Sequence, residues 1–184
     1  MGGLAGCGST VDRDLPEPSQ GEPSLVLSAV DRDARVKPIA TFEARVVVLG
    51  EKRYGNDNPS DPLAGLAPVD LAVGWGVMGQ EKIRDEVSIS QGRRRYRWHA
   101  WAKDLPMETI DKVGVSSANW HIIPSGPSTR KKLMAIDEGD EVHLKGWLVE
   151  AVSQNGQVSR SSLSRTDAGD GACEIIWVTD ISVK

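Results

Sequence analysis

Apolar and polar residues alternate most regularly in the C-terminal third of the chain. Over Glu141–Val152, Val142, Leu144 and Leu148 fall on one face and Glu141, His143 and Lys145 on the other. That two-residue period is the mark of a half-buried strand. Asp137–Asp140 ahead of it reads as a turn, and Asn155-Gly156 behind it is a strong two-residue hairpin signal. Gln157–Arg165 is therefore expected to return alongside. Asp167–Gly171 makes a second Gly/Asp turn, and Cys173–Val183 is a strand that closes the sheet.

Further upstream the pattern is less regular. Ser24–Val30 and Thr41–Gly50 are rich in apolar and β-branched residues and are expected to be strands, joined by a charged connector that ends in Pro38. Tyr54–Pro62 packs Gly, Asn, Asp and Pro into a loop. Its oxygens lack the ordered spacing of a calcium loop, so a solvated turn is the simpler reading. Across Asp61–Glu86, Gly74, Gly76 and Gly79 interrupt any helix, each at a cost of about 1 kcal/mol. An irregular packed segment or short helix is expected there, with one helical turn over Gln80–Glu86. Val87–Trp101 alternates again. Read as a strand, it carries Arg93, Arg95, Arg97 and His99 on one face and Arg94, Tyr96, Trp98 and Ala100 on the other. Leu105–Val113 and Pro127–Ile136 have helical spacing, and Ser116–Pro124 between them stops at a proline.

Strands at roughly 10–15-residue intervals with two or three short helices point to a mainly β (α+β) domain. The expected form is a partly open small β-barrel, OB-like or SH3-like, in which Gly146 lets its strand bend around a corner. The chain is 184 residues long, 39% hydrophobic, with a formal charge of −4. That composition suits one folded domain, and mild acidity argues against coating duplex DNA through bulk charge. Two cysteines exclude a disulfide-rich scaffold, and no Cys/His spacing resembles a metal site. No cofactor motif is present, so none is expected.

The domain is expected over residues 25–184, behind a flexible tether over residues 1–24. The tether holds Asp12, Asp14, Glu17 and Glu22 against the single base Arg13, leaving the folded part near neutral. Leu4-Ala5-Gly6-Cys7 matches a bacterial lipobox, which would put a lipid on Cys7 and require a longer precursor with a charged and an apolar segment ahead of it. Such an address means the cell envelope or periplasm. Without the lipid, Cys7 is incidental to a Gly-rich N-terminus and a cytoplasmic location stands. The segments PVDLAVGWGVM (68–78), SSANWHIIPSG (116–126), GDEVHLKGWLVE (139–150) and SSLSRTDAGDGACEIIWV (161–178) together resemble a family of bacterial proteins of unknown function, often exported. The resemblance implies a bacterial envelope origin and supplies no mechanism.

Three groups of residues carry candidate chemistry. Arg93, Arg95 and Arg97 beside Trp98, Trp101 and Trp120 form a cationic, aromatic surface suited to an anionic polymer or an envelope protein, with Arg165 among hydroxyls as a further anion clasp. A barrel with such a strand also suits single-stranded nucleic acid, though an exported protein meets little of it. Opposed to both is a solvated Arg face over an aromatic core face, with Arg165 tying the last hairpin to Asp167, Asp170 or Glu174. His121, Cys173 and Asn119 have the residue types of a thiol hydrolase, with a nearby carboxylate as an alternative partner for His121, although a strand-borne Cys beside two Ile is commonly core. Finally, Trp75, Trp147 and Trp177 sit in apolar runs and are expected to fill the core. The leading expectation is a non-enzymatic binding module that touches the membrane only through a lipid on Cys7.

Overall fold

The computed structural model describes residues 15–21, 29–31, 34–55, 58, 60–101, 103, 105–153, 156–164 and 173–184. Ten strands run in the order β1 (Ser19–Gly21), β2 (Ala29–Asp31), β3 (Ala34–Arg53), β4 (Val69–Gly74), β5 (Val87–Gly92), β6 (Arg95–Ala100), β7 (Ser117–Pro124), β8 (Glu141–Val152), β9 (Val158–Arg160) and β10 (Glu174–Val183). Three short helices, α1 (Glu81–Arg84), α2 (Met107–Val113) and α3 (Pro127–Leu133), and a 3-10 turn at Gly76–Gly79 fall between them. The protein is therefore mainly β with a barrel at its centre.

Five strands make that barrel. β3 pairs with β4, β4 with β7, β7 with β10, β10 with β8, and β8 returns to β3. Every pair is antiparallel except β7–β10. Renumbered one to five, the order is 1-2-3-5-4-1 with a parallel 3–5 pair, which is the OB-type arrangement and not the SH3-type one. The 20-residue β3 makes closure possible, since residues 35–47 pair with β8 and residues 47–53 with β4. Its register shifts between Pro38 and Ala40 and again between Val48 and Gly50. Such irregularities bend a strand and tolerate a proline that cannot donate. This corrects the expected connector, because residues 34–38 are strand.

The barrel interior is filled by side chains from all five strands, among them Phe42, Val46, Leu71, Leu144, Leu148 and Ile176. Trp120 lies at the centre, fully buried, with Phe42 edge-on at 5.2 Å and Trp75 stacked at 6.4 Å. α3 bridges β7 and β8 and sends Leu133 into the core, with Ile136 following. A second apolar cluster covers the outer face of β7, β10 and β8, where the Leu63–Ala67 turn packs on Ile123, Val149 and Ile175.

Two elements differ from expectation. Val69–Gly74 is a strand buried on both faces, so the alternation that marks a half-solvated strand is absent and the run reads as continuous apolar sequence. Residues 87–100 form a hairpin, β5–β6, lying outside the barrel with Tyr96 and Trp98 packed on the core. Its tip is Arg93-Arg94, with φ of 52° and 61°. This left-handed conformation normally selects Asn or Gly. From Arg95 onward the alternation holds, with Tyr96, Trp98 and Ala100 half-buried and Arg95, Arg97 and His99 exposed. The described fold also takes in part of the expected tether: Leu15 is buried in the core, and Ser19–Gly21 pairs with Thr41–Glu43.

Candidate functional site

β4 and β7 are neighbours, and their register sets Asp70 directly across from His121 and Ala72 across from Asn119. These side chains point away from the barrel interior, opposite to Leu71 and Trp120 on the same strands. On the far side, β10 runs parallel to β7 with Ile175 beside His121. Stepping back two residues keeps Cys173 on that same outward face, next to Asn119 and His121. The β5–β6 hairpin covers the other side and delivers Arg94 from its tip.

The result is a buried polar cluster centred on Asp70. Its Oδ1 accepts from Arg94 Nη1 at 2.7 Å and meets His121 Nδ1 at 2.8 Å, while Asn119 Nδ2 lies 3.5 Å from Oδ2. The other edge of the Arg94 guanidinium holds Asp61 Oδ2 through Nε at 2.9 Å and Nη2 at 2.8 Å. Arg94 also stacks on the Tyr54 ring, 3.8 Å from its centroid, and Tyr54 Oη accepts from the Arg94 backbone N–H at 3.1 Å. Gln91 donates to Asn119 Oδ1 at 2.8 Å, completing the layer. A two-pronged planar cation between two carboxylates is the geometry for which arginine exceeds lysine. It accounts for the unusual backbone at Arg94. The left-handed turn costs about 1–2 kcal/mol per residue, and the two ion pairs hold it there.

Charge is balanced within this cluster. Burial pushes the Asp70 carboxyl up, but the His121 hydrogen bond and the charges of His121 and Arg94 outweigh it and hold it below the usual carboxylate range. Burial alone would lower the His121 imidazole, yet its hydrogen bonds to Asp70 and to the Cys173 side chain, with the charge of both, raise it to about 9. The Tyr54 phenol is pushed to about 12 by burial and by Asp70. Because the His121 value lies above its unfolded 6.5, its stabilisation is complete below that pH and is lost as pH rises through about 9. Urea midpoints should therefore fall between about pH 6 and about pH 9.5 in the native chain and stay flatter in His121→Gln.

Above the cluster opens a cavity of about 580 Å³. Its described lining comes from three places: Tyr54, Asn58 and Ser60 to Leu63 after β3, Arg93 to Arg95 at the hairpin tip, and Ser159 and Arg160 of β9 with Cys173 and Ile175 at the start of β10, with His121 at the floor. Arg160 reaches Glu150 at 2.9 Å on its outer side. In barrel numbering these residues lie between strands one and two and at the described ends of the connection from strand four to strand five, over the face of strands two and three. That is where OB-type barrels hold oligonucleotides and oligosaccharides. Among the described residues no group of three or more His, Cys, Asp or Glu side chains is placed to hold a metal ion.

The structure sorts the expected site residues unevenly. His121, Asn119 and Cys173 do converge, with Cys173 half-buried and its thiol 4.0 Å from the Arg94 carbonyl oxygen. Arg93 and Arg95 line the cavity. Arg97, Trp98 and Trp101 do not; Trp98 packs against the core, and Trp101 is 56% exposed with His99 edge-on at 4.2 Å. Trp120 is corrected outright, from groove member to the centre of the core. Trp147 and Trp177 form a half-buried tilted pair at 5.3 Å on the outer cluster, while Trp75 is core. Ser161 and Ser162 tie the chain back to β10, through Ser161 Oγ accepting from Ile175 N at 3.0 Å and Ser162 N donating to the Cys173 carbonyl at 3.1 Å. Arg165, Asp167, Asp170 and Cys7 lie outside the described residues.

Sequence reasoning missed Asp70, Arg94 and Asp61 as site residues. A single carboxylate inside the apolar run VDLAV was the available signal, since a charge buried in a strand must find partners.

Neither a protein-family model, nor a curated protein, nor a solved structure matches this chain. The fold and the cleft carry the functional argument alone. No helix among the described residues is long and apolar enough to cross a membrane.

Proposed function

We propose that the protein is a binding module that takes an anionic polymer in the cleft lined by Tyr54, Asp61, Leu63, Arg93, Ser159 and Arg160. The observation that carries this reading is the charge arrangement. Arg94 and His121 are balanced by Asp61 and Asp70, whereas Arg93 adds positive charge at the mouth, with Arg160 beside it partly offset by Glu150. A pre-organised, partly desolvated concavity with cations at its mouth focuses potential on an anionic ligand. The location on the barrel agrees with where this topology holds extended ligands.

The aromatic content favours a phosphate- or carboxylate-bearing carbohydrate polymer over nucleic acid. Base recognition by a single-strand binder rests on exposed rings. Tyr54 is the one Phe, Tyr or Trp among the described lining residues, and its face is taken by Arg94; the His121 ring is buried against Asp70. An envelope location, with a lipid on Cys7, suits such a ligand and is part of the proposal.

The probe is a fluorescein-labelled glycerol-phosphate oligomer, titrated by anisotropy at several salt concentrations beside a thymidine oligomer of equal charge. Binding of the glycerol-phosphate oligomer should weaken with salt, and Arg93→Ser or Arg160→Ser should each reduce the log–log salt slope by about one. Absence of binding at low salt rejects the proposal. Tighter binding of the thymidine oligomer transfers the cleft to nucleic acid.

A further inference from the structure

We infer that the outer edge of β6 is a docking site for an extended acidic peptide, taken up as a further strand of the β5–β6 hairpin. This site does not depend on what the cleft binds.

The hairpin turns through two residues, Arg93 and Arg94, so Gly92 and Arg95 form its closing hydrogen-bonded pair. Pairs alternate from there along an antiparallel ladder. Arg97 and His99 bond back to Ser90 and Ser88, while the backbone groups of Tyr96, Trp98 and Ala100 point away from β5. Among the described residues β6 pairs with no other strand, and no backbone N–H or carbonyl of those three finds a hydrogen-bond partner. Backbone groups left unpaired inside a protein are rare, so this row meets water. An edge of that kind is a template for one more strand. It is also held in strand form before any partner arrives. Tyr96 and Trp98 pack on the core, Tyr96 Oη lies 2.9 Å from Ser117 Oγ, and Asp61 and Asp70 clamp Arg94 at the turn.

The side chains choose the partner. The face that the hairpin turns to solvent carries Ser88, Ser90 and Gly92 on β5 and Arg95, Arg97 and His99 on β6, with no carboxylate among them. Residues two apart on a strand stand about 6.6–7 Å apart. An incoming strand repeats that spacing, so acids at its alternate positions fall opposite Arg95, Arg97 and His99, and its other residues lie on the core side. A second copy of this chain is disfavoured by the same register, since two β6 edges paired antiparallel set Arg and His against Arg and His. Cations along an edge guard it against self-pairing, and an acidic strand turns that guard into recognition.

The probe is a capped, fluorescein-labelled heptapeptide alternating glutamate with threonine, titrated by anisotropy into the full chain at low salt. With its glutamates opposite Arg95 and Arg97, the threonine N–H groups are the ones aimed at β6. Methyl groups on the threonine nitrogens should therefore weaken binding about tenfold or more, whereas methyl groups on the glutamate nitrogens should leave it within about threefold. Arg97→Ser should weaken the parent peptide and leave binding of the glycerol-phosphate oligomer unchanged, because Arg97 does not line the cavity. Arg97→Glu should shift preference toward a peptide alternating lysine with threonine. No binding of the parent peptide overturns the proposal and leaves the arginines as guards of the edge. Equal binding of the two methylated forms overturns it in favour of attraction by charge alone. Either failure leaves binding in the cleft standing.

Discussion

Replacing Asp70 with alanine should cost about 3–5 kcal/mol of folding stability. The carboxylate is fully buried and bridges Arg94 and His121, with Asn119 beside its second oxygen. Removal strands a guanidinium and an imidazolium in one layer with Asp61 as the remaining acid, and uncompensated buried charge is among the costliest defects a fold can carry. Two further variants separate the charge from the packing. Arg94→Met in the native background removes a cation whose partners remain, and should also be destabilising, since it leaves Asp61 and Asp70 facing each other's field. Combined with Asp70→Ala it should cost less than the sum of the two, because each change removes the other's orphan. Urea unfolding of the four chains gives the coupling energy directly. Strict additivity would mean the pair does not interact in solution.

Gly146→Ala is expected to lose about 3 kcal/mol. Gly146 sits mid-strand in β8 with Phe42 of β3 on one side and Val178 of β10 on the other. A β-carbon there would fall well inside contact distance of the Trp177 carbonyl oxygen and 3.0 Å from the Val178 α-carbon. Both are backbone of a hydrogen-bonded neighbour, so no side chain can swing aside to make room. Gly92→Ala is the control, since nothing lies within 4 Å of the added carbon. Equal midpoints for the two variants would show that β8 and β10 can separate at this corner without penalty.

How much of this was legible beforehand depends on how each residue meets solvent. β8 was legible because over its first half, Glu141 to Lys145, one face is core and the other is turned to solvent, which writes a period of two into the sequence. α2 and α3 were located for the same reason, by apolar positions recurring every three or four residues. β4 has no wet face, and Gly74 at its end with Gly76 and Gly79 in the turn beyond it suggested an interrupted helix in place of a strand. The hairpin tip was hidden because two arginines occupy a turn that backbone preference assigns to Asn or Gly, and the reason for Arg94 is Asp61 and Asp70, residues distant in sequence. His121, Asn119 and Cys173 were named as a group, but the carboxylate that orients the histidine lies across a β4–β7 pairing that only the closed barrel specifies. Trp120 misled through its neighbours. Asn119 and His121 are polar, yet they point outward while Trp120 points in.

The parallel pairing of β7 with β10 has a consequence for how the chain folds. β10 follows the other barrel strands in sequence and slots between β7 and β8. Until it docks, each of those strands offers an unpaired edge, and docking requires contacts between residues far apart in the chain, which form slowly. Cys173 stands at the entry to that strand, so it comes alongside β7 only when the barrel shuts. Protection of the β10 backbone amides from hydrogen exchange after dilution from urea would thus serve as a clock for closure.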